Sequence, residues 1–208
     1  LGAEVVWTRL LGYLLLATVY VFAIILAVFL TGLAVGTAGG SWLLRKVNPR
    51  NALGWCQILL VLGFAWTAYA ITNTFHLPFW NDNVLNTQDG WLMYWLDLKL
   101  VAITIFPATL FWGASFPLAC AAISEPGQDS GKTAGAIYAA NTLGGIFGAL
   151  LVSLVLIPAI GTQNSQRVLL LVSACGGLLL LAPRARRMMG AVTLAAAAGA
   201  AILLAVNV

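Results

Sequence analysis

An all-α fold, a polytopic transmembrane helix bundle of about seven spans, is what this sequence predicts, and three observations predict it. The chain of 208 residues is 62% hydrophobic and 8% charged, where an ordinary soluble domain carries roughly 25% charged residues. Uncharged apolar runs of bilayer-crossing length recur along it, separated by short polar stretches. Basic residues gather in those short stretches, where they act as topology signals and not as a nucleic-acid surface, so the net charge of +4 implies no nucleic-acid partner.

The spans fall at about 1–16, 18–44, 52–72, 98–123, 134–158, 168–182 and 190–208, all within one transmembrane domain. The first begins inside apolar sequence and reads as clipped. Glu4 and Arg9 interrupt it, with Trp7 between them. The two charges are intramembrane polar candidates that pair if the helix bends or if both snorkel toward the interface; the alternative is that Trp7 and Arg9 anchor a helix end at the headgroups. The second span carries Gly32, Gly36 and Gly40, two overlapping small-xxx-small steps on one face that suit close helix packing. Arg45, Lys46 and Arg50 follow in loop 45–50, which the positive-inside rule places in the cytoplasm together with loops 124–133 and 183–189.

After the third span comes the one sizeable polar segment, FHLPFWNDNVLNTQDGWLMYW. Its acidic residues and its aromatic residues suit the outer interface, and His76, Trp80 and Trp91 make it a possible docking loop. A single histidine with no carboxylates at ligand spacing predicts no metal site and gives no reason to propose heme. The fourth span contains Pro107 and Pro117, so it should be kinked or broken, with partners in the bundle satisfying the carbonyls that each proline frees. In the next loop the run from Gly127 to Lys132 and Thr133 is one residue short of a phosphate-binding loop and follows no strand, so it reads as a turn.

The fifth span, Ala134 to Pro158, reads as the central packing helix. Ala136, Ala140, Gly144 and Gly148 fall four apart and draw a seam nearly free of side chains down one face, the natural partner for the glycines of the second span. Asn141 beside it should point into the bundle, because an amide in hydrocarbon needs a partner. Cys56, Cys120 and Cys175 lie in apolar runs without CxxC spacing and read as buried thiols.

Four segments in order, EVVWTRLLG, FLTGLAVGTAGG, FPATLFWGASFPL and AGAIYAANTLGGIFGALLVSLVLIPAIG, make about residues 2 to 162 resemble the membrane region of spermidine synthase-like fusion proteins. That resemblance implies a bacterial inner-membrane protein whose multi-span domain precedes a soluble aminopropyltransferase-like domain. The related facilitator label finds a partial echo in GGSWLLRKVNPRNALG, which resembles the basic loop after a transporter's second helix but lacks its acidic residue and its glycine. The catalytic half is not in this sequence: the six acidic residues are scattered, and Gly144, Gly145 and Gly148 lie inside an apolar helix. No catalytic constellation and no cofactor are expected. The sequence therefore supports an accessory or anchoring membrane module packing against other membrane chains. The alternative is a carrier for polyamine-like amines built on Glu4, Asn141 and the proline-containing helix, and an intramembrane enzyme is the least supported reading.

Overall fold

The computed structural model describes residues 1–74, 89–124 and 130–181, and every one of its described elements is helical. In chain order they are α1 (Gly2–Leu14), α2 (Val19–Leu43), α3 (Pro49–Thr72), α4 (Gly90–Ile123), α5 (Ser130–Leu151), a π-helical turn (Val152–Leu156) and α6 (Ile157–Leu181). Four stretches are long and apolar enough to cross a membrane: α2, α3, α4 and the run Gly131–Gly177. His76, Trp80, loop 183–189, residues 125–129 of loop 124–133 and the seventh span at 190–208 lie outside the described residues.

Local chemistry sets the helix ends. Thr18 caps α2 by accepting from the Val21 N–H, and Asn48 caps α3 by accepting from the Arg50 N–H with Pro49 at the first helical position. Asp89 caps α4 by accepting from the Trp91 N–H. That cap starts α4 at Gly90, two turns before the expected 98, because the tryptophan-rich segment that reads as loop by hydropathy is helical by capping. Between α1 and α2 the chain turns through Leu16 and Ala17 at positive φ, and the Ala17 N–H reaches back to the Gly12 carbonyl at 2.8 Å. This is the hydrogen-bonding pattern with which a left-handed residue closes a helix end.

The contacts between helices fix their directions. Tyr20 meets Tyr94 at one end of the α2–α4 pair, and Gly40 meets Ala114 and Pro117 at the other, so α2 and α4 run parallel. Trp66 reaches Ile103, Gly63 abuts Ala108, and Arg50 donates to the Ala122 carbonyl at 3.2 Å, so α3 runs antiparallel to α4. The second half of α6 lies along α3, where Gly177 approaches Gln57 and Ile58.

The run Gly131–Gly177 would be about 70 Å long as a straight helix, more than twice the roughly 30 Å hydrocarbon thickness. It is not straight. A π-helical turn precedes Pro158, with the Ile157 N–H bonded to Val152 five residues back, and Gly161 leaves helical geometry altogether at φ 80° and ψ 168°. That backbone conformation belongs to glycine.

The central place belongs to α4 and not to the fifth span that the sequence nominates. Leu100, Val101, Ile105, Ala108 and Leu118 of α4 are fully buried, while among the described residues Ala136, Ala140, Gly144 and Asn141 are exposed. A small-residue seam permits close packing but attracts no particular partner. Here α2 and α3 close on α4 and leave that face of α5 outward.

Candidate functional site

Gly36 and Gly40 of α2 lie directly against the backbone of α4, and Gly32 lies against a side chain of α4. A Cβ added at Gly32 would run into the Thr109 hydroxyl, one at Gly36 into the Leu110 carbonyl, and one at Gly40 would lie 2.7 Å from the Ala114 carbonyl oxygen. From the other side, a Cβ at Gly113 would strike the Leu33 carbonyl, and one at Gly63 of α3 would come within 2.8 Å of the Ala108 Cα. Gly39, one residue before Gly40 and on another face, has nothing within 4 Å. The glycine face expected to meet the seam of the fifth span meets α4 instead. Of the seam's two glycines, Gly148 approaches α1, where its carbonyl lies 3.2 Å from a Cβ added at Gly2, while a Cβ at Gly144 would meet nothing within 4 Å.

Both prolines of α4 sit inside a continuous helix, so the helix is not broken, and both free the carbonyl four residues back. For Pro107 that carbonyl is Ile103, which accepts from the Trp66 indole Nε1–H of α3 at 2.8 Å. The adjacent Thr104 carbonyl accepts from the fully buried Thr67 hydroxyl, also at 2.8 Å. For Pro117 it is Gly113, which accepts from the Thr37 hydroxyl of α2 at 3.1 Å. Thr37 also meets its own Leu33 carbonyl at 2.8 Å. Neighbouring helices thus supply the donors that each proline withdraws. The position four before a proline names the acceptor from sequence; the donors Trp66 and Thr37 cannot be named until the helix pairing is known.

Where α1 to α4 meet, four aromatic rings cluster. Trp7 lies 5.1 Å from Phe64 and 6.4 Å edge-on to Trp112, and Trp112 lies 6.0 Å from Phe29. These are favourable ring separations. Trp7 is 1% exposed and its indole nitrogen is buried without an acceptor among the described residues, so it anchors the core and not the headgroup level. Glu4 is half-buried and Arg9 exposed on the continuous helix α1. Five residues apart they are about 140° around its axis, which separates the two charges. Asn141 lies on the exposed face of α5, so the described residues do not bring Glu4, Arg9 and Asn141 to a common cavity.

An open groove of about 420 Å³ lies between the first turns of α2 and α4. Tyr20, Ala23, Ala27, Trp91, Tyr94 and Trp95 are among its lining residues, and its walls are almost wholly apolar. Tyr20 and Tyr94 face each other at 5.5 Å, and Trp91 and Trp95 pack edge to face at 6.3 Å. Among the described residues no group of three or more His, Cys, Asp and Glu is placed to hold a metal ion. No family model, curated protein or solved structure matches the chain.

Proposed function

We propose that the chain is a multi-pass membrane module that anchors or supports other membrane chains, with α5 as its assembly face. The observation that carries this reading is the outward seam. In the run Gly131–Gly177 about one residue in ten of its most apolar window is buried, and Ala136, Ala140 and Gly144 are exposed next to Tyr138, Leu143 and Phe147. Small residues flanked by large apolar ones fit a second helix at backbone distance. The inward surfaces of α2, α3 and α4 are by contrast already closed on one another by glycine and carbonyl contacts, which suits a rigid support.

The finer architecture belongs to the same proposal. We infer that the break at Gly161 turns the chain back, so that α5 and α6 cross separately and, with α1 and the segment 190–208, complete about seven spans. Loops 45–50, 124–133 and 183–189 then face the cytoplasm of a bacterial inner membrane by the positive-inside rule. The four resembling segments support a place among spermidine synthase-like membrane regions, with an aminopropyltransferase-like domain as the soluble element it would hold at the membrane.

Site-specific photo-crosslinking in native membranes tests the assembly face. A crosslinker at Ala140 is expected to give one discrete protein adduct, and a crosslinker at Phe22, exposed on α2, to give none. Equal labelling at both positions, or lipid adducts alone at Ala140, would overturn the reading.

A further inference from the structure

Side chains bridge the break at Gly161. Ile160 precedes the break and Asn164 follows it, and the Asn164 amide Nδ2 donates to the Ile160 carbonyl at 2.9 Å. Asn164 Oδ1 in turn accepts from Arg167 Nη1 at 3.2 Å, and the Ser165 hydroxyl donates to the carbonyl of Gly161 itself at 2.7 Å. Polar side chains thus take carbonyls on and before the break, the groups that an interrupted helix leaves over. A Cβ added at Gly161 would meet nothing within 4 Å, so among the described residues no neighbouring helix wedges the bend in place.

Arg167 is suited to orient the amide. Asn164 could turn either its oxygen or its nitrogen toward Ile160, and only the nitrogen is a donor. Arg167 is half-buried with its Nε enclosed, so its stem rises from the core and brings the guanidinium to Asn164 from a fixed base. A guanidinium only donates, so it claims Oδ1 and leaves Nδ2 for Ile160; the reversed amide would set donor against donor. The consequence falls on α5. Leu1 and Gly2 reach α5 near Gly145 and Gly148, in its last two turns, while Ala136, Ala140 and Gly144 stay exposed. The joint at the end of α5 therefore bears on the direction in which that exposed face points.

We propose that Asn164, oriented by Arg167, is a latch that fixes the angle between α5 and α6 and so positions the assembly face. Its consequence for assembly rests on the reading of α5 given above, but the latch is read on this chain alone, so either can fail without the other. Pulsed electron double resonance reads it in the purified full chain, between nitroxides attached through encoded keto side chains at Phe147 of α5 and Leu62 of α3, both exposed. One main distance with a minor displaced population is expected. Asn164→Leu, close in size and without hydrogen bonds, should raise the minor-to-main ratio about fivefold, the effect of one lost net hydrogen bond. Asn164→Asp keeps the acceptor for Arg167 and deletes only the donor to Ile160, and should raise the ratio likewise. Arg167→Met should raise it less and add nothing on top of Asn164→Leu, because the arginine acts through the amide. Gln163→Leu, exposed and outside the latch, should leave the ratio unchanged. An unchanged ratio in both Asn164 variants, or a further rise when Arg167→Met is added to Asn164→Leu, would overturn the proposal.

Discussion

At the scale of single residues, the most informative side chains are those that repair what proline removes. Pro107 leaves the Ile103 carbonyl without its helical donor, and the Trp66 indole N–H takes that place at 2.8 Å. Trp66→Phe keeps an aromatic ring, though a smaller one, and deletes the donor, so it should cost about 0.5–1.5 kcal/mol, the usual range for an interhelical hydrogen bond. In a Pro107→Ala background the restored backbone N–H can bond Ile103 itself, and the cost of Trp66→Phe should fall to near zero. A double-mutant cycle read by reversible unfolding in mixed micelles checks this; equal costs in both backgrounds would mean that the tryptophan does not act through the carbonyl. The sequence makes half of this pair legible. Proline spacing identifies the orphaned acceptors, but a tryptophan among many in an apolar chain gives no sign that it is a donor to one of them. Trp7 shows the same limit: between Glu4 and Arg9 it reads as a headgroup anchor, yet packing against Phe64 and Trp112 buries it.

At the scale of elements, the bundle turns on how closely α2 and α3 approach α4. Gly36→Ala places a methyl against the Leu110 carbonyl, a backbone group that cannot rotate away, and should destabilise the bundle by about 1–3 kcal/mol. Gly39→Ala, with open space around it, should stay within about 0.5 kcal/mol. Thermal unfolding of the two variants in the same detergent separates them, and equal midpoints would count against the close α2–α4 contact. Helix positions were largely readable in the sequence because apolar run length and caps decide them: expected spans at 18–44 and 52–72 compare with α2 at Val19–Leu43 and α3 at Pro49–Thr72. Helix partners were not, because Gly32, Gly36, Gly40 and the seam of α5 carry the same small-residue pattern. Which face finds which depends on the complementary surface, here Gly113, Ala114 and Thr109 on α4, and periodicity does not encode that surface.

At the scale of the whole molecule, the interior and exterior differ in kind. Inside, α1 to α4 share an aromatic junction and close backbone contacts. Outside, α5 presents exposed small and large apolar residues together, and the rim of α2 and α4 presents an aromatic groove. A rigid interior with two differently built outer faces fits a module that holds position in the bilayer and receives partners at its surface. The central claim is that this surface is occupied by another membrane chain. The measurement that tests it most directly is gentle detergent extraction from native membranes followed by intact-mass analysis of the particle that contains this chain. The account predicts a stoichiometric assembly with a second membrane protein, and predicts that Gly144→Leu, which blocks the seam of α5 at a glycine with no neighbour within 4 Å, releases the partner without unfolding the bundle. A particle containing this polypeptide and lipid alone, unchanged by Gly144→Leu, would contradict it.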